Sequence, residues 1–166
     1  MNAEAARYAP ALSVDVTLDD EAWGSPQAWE TLAVNALGAA AAAVRHEVPA
    51  EVSVLFSDDA RVRELNMRFR DRDAATNVLS FPAATLPGGV AFLGDIIVAR
   101  ETVAREADEQ GLTIHAHVTH LLVHGFLHLL GHDHGDDTAA RQMESLETAI
   151  LAELGIADPY RSDGRP

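Results

Sequence analysis

The sequence predicts an α+β fold: a single small mixed sheet of about four strands packed with about five helices, with a metal site on the C-terminal half. Three observations predict it. Short alternating or apolar runs, separated by helix-length segments, give the order β α β α β β α α α. The chain has 166 residues, enough for one domain with a real core and too few for two. Hydrophobic residues make up 48% of it, which fits a packed globular protein and not a disordered chain. One domain over 1–166 is expected, with loose tails at 1–10 and 157–166.

Each element has a local reason. LSVDVTL (Leu12 to Leu18) alternates apolar and polar residues and reads as a strand. Ser25 and Pro26 open a helix as N-cap and first residue; it runs to about His46 and is stopped by Pro49. EVSVLFS (Glu51 to Ser57) is a second alternating strand. Asp58 or Asp59 caps a helix through about Arg70, with Val62, Leu65 and Phe69 on one face. NVLSFP (Asn77 to Pro82) reads as a short strand, and Pro87-Gly88-Gly89 as a turn. GDIIVA (Gly94 to Ala99) is a buried strand. A helix from about Arg100 to Gln110 ends at Gly111. Thr113 caps a longer helix that reaches Leu130 and ends at Gly131. Thr138 starts a last helix, to about Leu154, and Pro159 to Pro166 reads as a loose tail.

Composition narrows the chemistry. There is no cysteine, so a metal must be held by His, Asp or Glu. MNAEAARYAP has no apolar core of a secretory signal, and ALGAAAAAV (Ala36 to Val44) is too short and alanine-rich to span a bilayer. A cytoplasmic protein with no membrane partner is expected. The net charge of −14 by itself argues against nucleic acid. The charge is uneven, however: Arg61, Arg63, Arg68, Arg70 and Arg72 cluster, with Asp58, Asp59, Glu64, Asp71 and Asp73 among them. Charge alone reads this cluster as a salt-bridged helix face.

The stretch HGFLHLLGHDH (His124 to His134) carries the chemistry. His124 and His128 are four apart and share a helical face, so two imidazoles can reach one ion. On a continuing helix His132 would lie ~12 Å along the axis from His124, at ~1.5 Å per residue. Zinc–nitrogen bonds are only ~2.0–2.1 Å, so the third ligand needs a turn. Gly131 can end the helix in a left-handed conformation, and His134 can then complete the set. The spacing matches the HExxHxxGxxH ligand pattern. His124, His128 and His134 are the expected ligands, ahead of His132. Three neutral ligands leave an open position, the catalytic arrangement of zinc. The protease base is missing, because Gly125 stands where HExxH has its Glu. His117 and His120 share the face two turns and one turn earlier; His120 is a candidate supporting group, and both read equally well as core or surface histidines.

HGFLHLLGHDH resembles the signature of the YbeY family of bacterial endoribonucleases. LNMRFRDRDAATNVLSFP (Leu65 to Pro82) is similar to that family's other signature, and FLGDIIVA (Phe92 to Ala99) to the strand that follows. The resemblance covers most of the chain from about Val52 to Ile150. It implies a zinc-dependent, single-strand-specific endoribonuclease acting in 16S rRNA 3′-end maturation and ribosome quality control. It implies one Zn2+ per chain on His124, His128 and His134, and a functional arginine, here Arg70, as the catalytic residue beside the metal. Its partners would be single-stranded rRNA precursor and the ribosome or its small subunit, with no DNA expected. Thr76, Asn77 and Ser80 follow Arg70 and suit hydrogen bonds to phosphate or ribose, and equally suit capping of the turn into the strand. The family usually has Tyr where this chain has His132, and often Pro where it has Ala75. The competing readings are a metallopeptidase-like hydrolase, which Gly125 opposes, and a non-catalytic ribosome-assembly factor with a structural metal.

Overall fold

Residues that alternate along a strand alternate across a sheet, and this sorts the core. The computed structural model describes residues 12–46, 48–83, 91–132 and 135–160. The expected turn at 87–89, the tails at 1–10 and 161–166, and His134 lie outside them. The four strands are β1 (Leu12–Leu18), β2 (Ala50–Ser57), β3 (Val78–Pro82) and β4 (Ala91–Ala99), in the order β1-β2-β4-β3. β1 and β4 both pair parallel to β2, and β3 closes the edge antiparallel to β4. The sheet is therefore mixed. Pro82 cannot donate to a ladder, and it sits at the end of this edge strand, where no donor is needed.

The five helices are α1 (Pro26–Ala43), α2 (Asp59–Arg70), α3 (Arg100–Gln110), α4 (Ile114–Leu129) and α5 (Asp137–Glu153). One sheet face buries Val52, Val54, Phe56, Ile96 and Val98 against α1, α4 and α5. The side chains between these along the strands, Leu55, Ile97 and Ala99, turn to the other face and meet Val62 and Leu65 of α2. Buried Ala33, Ala36, Ala40 and Ala41 let α1 lie close to its neighbours, which accounts for the alanine run. Phe126 on α4 is fully buried at the centre of the larger core; truncation of such a side chain to Ala costs about 3–5 kcal/mol.

Boundaries differ from expectation where tertiary pairing decides. β4 begins at Ala91 and not Gly94, because Ala91 and Phe92 pair with Ala50 and Glu51 before a register shift. α1 stops at Ala43, short of His46, where Arg45 turns left-handed at φ 54°. Asp58 is the α2 cap, accepting from Arg61 N at 2.8 Å. Asp136 caps α5, so that helix starts at Asp137 before Thr138. Among the described residues no helix is long and apolar enough to cross a membrane.

Candidate metal centre and its cleft

α4 presents the histidines because of how closely it lies on the sheet. A Cβ at Gly125 would meet Ser80 Oγ at 2.8 Å and Ile96 Cγ2 at 3.2 Å. A side chain there would have to push Ser80 or Ile96 aside, so glycine lets the helix pack this closely. The residue that excludes a protease-type base thus also seats the helix against β3 and β4. At the C-terminal end, Gly131 is left-handed at φ 96°, donating to His128 O, while His132 N donates to Leu127 O at 3.0 Å. These two bonds form a Schellman stop, so the chain turns off the helix axis at Gly131, as the ligand spacing requires.

His124 and His128 converge. Their Nε2 atoms lie 3.0 Å apart. Two metal–nitrogen bonds of ~2.0–2.1 Å span that distance, so the pair fits a shared ion. The other ring nitrogen of His124 is held from behind: Nδ1 lies 2.5 Å from Glu147 Oε1 on α5. Glu147 is fully buried. Its second oxygen accepts from the Tyr160 hydroxyl at 2.5 Å. His120 Nε2 stands 3.7 Å from Glu147 Oε1 and 3.3 Å from the Tyr160 hydroxyl. Burial acts to raise the Glu147 carboxyl, but the nearby His120 imidazole and the bonds to His124 and Tyr160 outweigh it and hold the carboxyl down to about 2. Burial, with the bond to Glu147, pushes the Tyr160 phenol well above its usual range.

Ligand atoms of His120, His124 and Glu147 fall within 4.8 Å of one another, so this trio can also hold a cation. The 2.5 Å approach of Glu147 to His124 Nδ1 favours a different division of labour. It is hydrogen-bond length, too short for an ion between the two atoms at ~2.0–2.2 Å from each in an ordinary tetrahedral geometry. A carboxylate on Nδ1 puts that ring's proton there and directs Nε2 to a metal, the arrangement of carboxylate–histidine–metal triads.

The histidines open onto a cleft of about 720 Å³. Its walls bring together Arg70, Thr76, Asn77 and Ser80 with His120, His124 and His128, as well as Arg72 and Tyr160. The structure thus places these candidates around one cleft; the position of His134 is outside the described residues. The arginine cluster divides. Arg63 pairs with Asp73 at 2.6 Å and Arg61 with Glu64 at 3.7 Å, the expected salt-bridged face. Arg70 does neither: its Nη2 donates to Ser80 O at 2.5 Å and its guanidinium stacks over Phe81, 5.1 Å from the ring centre. Those contacts aim it across the edge strand at the cleft.

Two residues escaped the sequence reading. Glu147 carried a signal: Met143, Glu147, Ile150 and Leu151 are the buried stripe of α5, so a carboxylate stands at a core position. Tyr160 carried none, since its surroundings read as tail. Residues 157–160 are in fact docked, with Asp158 accepting from Thr148 Oγ1 and Tyr160 N, which corrects the loose tail for this part.

A family model described as Endoribonuclease YbeY matches residues 15–155. A protein named Endoribonuclease YbeY from Agrobacterium fabrum is 49% identical over 160 residues, spanning 90% of this chain and 95% of its own. One of the same name from Azorhizobium caulinodans is 53% identical over 154 residues, spanning 90% and 96%. A Thermotoga maritima protein solved in solution shares the fold, with a TM-score of 0.55 at 23% identity over 89% of this chain and 99% of that one.

Proposed function

The chain belongs to the endoribonuclease YbeY family and is an RNA-cleaving hydrolase, and we propose that it is a zinc-dependent, single-strand-specific enzyme of 16S rRNA 3′-end processing and ribosome quality control. One observation carries the reading: a single cleft gathers Arg70, Thr76, Asn77 and Ser80 from one sequence block and His124 and His128 from another. The ligand set is His124, His128 and His134, with one ion per chain. The substrate is single-stranded rRNA precursor, met on the ribosome or its small subunit in the cytoplasm.

A zinc ion, when bound, supplies Lewis acidity to the phosphodiester. The chain's own groups do the rest. Arg70 offers a planar fork of donors that positions the phosphate and offsets charge developing on its oxygens. Ser80 and Thr76 add hydroxyl donors on the same wall. Glu147 keeps the His124 proton on Nδ1 and the ring's rotation fixed. An open cleft beside these groups suits an unpaired backbone, since no duplex groove has to be accommodated.

The test compares cleavage of single-stranded RNA, duplex RNA and a peptide, with and without chelator, by wild type and by His128→Ala. Chelator-sensitive cleavage of single-stranded RNA, lost in His128→Ala, is expected. Peptide cleavage without RNA cleavage would sink the proposal. A folded His128→Ala protein with full RNase activity would refute the metal's catalytic part.

A further inference from the structure

Asn77 is held in the cleft wall by a partly buried polar network that the metal centre does not use. Its Nδ2 donates to Glu106 Oε1 on α3 at 3.0 Å. The same oxygen lies 2.8 Å from His117 Nε2 on α4. His117 is 4% exposed, and its Nδ1 is buried with no partner among the described residues. An N–H orphaned there would cost more than a bare lone pair, so the proton sits on Nε2 and is donated to Glu106. Asn77 O in turn accepts from Ala99 N at 2.9 Å, fixing the backbone beside β4.

This network decides which end of the Asn77 amide is offered to a ligand. A carboxylate oxygen is an acceptor, so the amide must turn its nitrogen towards Glu106. The amide oxygen faces away from Glu106, and Asn77 lines the cleft. An acceptor at that position calls for a donor on the substrate. The sugar–phosphate backbone of a nucleic acid has one donor, the ribose 2′-hydroxyl; its phosphate oxygens only accept, and deoxyribose has none.

We propose that Asn77, locked by Glu106 and His117, presents its amide oxygen to a 2′-hydroxyl of the bound strand and so makes the cleft select ribose over deoxyribose. Asn77 is then a specificity residue, and Glu106 and His117 are positioning residues. The proposal rests on the reading of this cleft as the RNA-cleaving site.

The test is a scan of single 2′-deoxy substitutions around the cleaved bond of an otherwise all-ribose strand. Wild type, Asn77→Ala, Glu106→Ala and Glu106→Gln are compared, each checked for folding by thermal unfolding. At one position, the deoxy substitution is expected to slow wild type roughly 3- to 10-fold, the worth of one hydrogen bond. That penalty should vanish in Asn77→Ala and in Glu106→Ala. It should persist in Glu106→Gln, whose amide oxygen can still accept from both partners. A scan that is the same in wild type and Asn77→Ala overturns the role of Asn77 while leaving the nuclease reading intact. Failure of wild type to cleave the all-ribose strand overturns both.

Discussion

Glu147→Gln keeps the size of a fully buried side chain and removes its charge. In the wild-type site each Glu147 oxygen makes one contact of 2.5 Å, to His124 Nδ1 and to the Tyr160 hydroxyl. Hydrogen bonds to a charged group contribute ~1.5–3 kcal/mol and neutral ones ~1 kcal/mol, so the His124 bond weakens by roughly 0.5–2 kcal/mol. The amide also offers a donor where only an acceptor stood, so the proton on His124 Nδ1 is no longer enforced. Zinc affinity should fall about ten- to a hundredfold, the range for loss of a carboxylate behind a metal-binding histidine. The assay is competition against a chromophoric zinc chelator, run beside thermal unfolding of the metal-free protein. A variant that unfolds like wild type yet binds zinc as tightly would refute Glu147 as the support of His124.

Other changes separate packing from chemistry. Arg70→Glu should abolish most RNA cleavage, and Arg70→Lys should lower it roughly tenfold or more, because an ammonium lacks the planar fork; an unchanged melting temperature beside that loss would confirm that this exposed residue acts on substrate. Gly125→Ala places a methyl 2.8 Å from Ser80 Oγ and 3.2 Å from Ile96 Cγ2, so denaturant unfolding should show a loss of about 1–3 kcal/mol from overpacking. Asp95 lies half-buried on β4, where burial raises its carboxyl above the ordinary 3.8 despite a bond from Ser53. A raised carboxyl opposes folding once it ionises, so Asp95→Asn should stabilise the protein at neutral pH, with the gain lost as pH falls through the raised native value towards 3.8. A gain that is instead largest at low pH would show the sign to be wrong.

Local chemistry explains which parts were legible in the sequence. β1 runs from Leu12 to Leu18 as read, because alternation marks a strand buried on one face. α3 runs from Arg100 to Gln110 because Gly111, left-handed at φ 68°, stops it. The histidine pair was legible because a helix converts a four-residue spacing into proximity. The site's second layer was not. Glu147 meets His124 from 23 positions away, and Tyr160 meets Glu147 from beyond the end of α5. Those contacts exist only once α4 and α5 have packed. The arginine cluster shows the same limit: composition made it one patch, and packing divides it into a salt-bridged face and a cleft-facing Arg70.

The central claim is that RNA cleavage depends on a metal held beside Arg70 by the α4 histidines. Zinc titration into metal-stripped protein, with bound zinc and single-stranded RNA cleavage read on the same samples, tests it most directly. Cleavage should be absent without metal, rise in proportion to bound zinc and level off at one ion per chain. Full cleavage by the metal-free protein, or zinc bound at one ion per chain with no gain in cleavage, would contradict the claim.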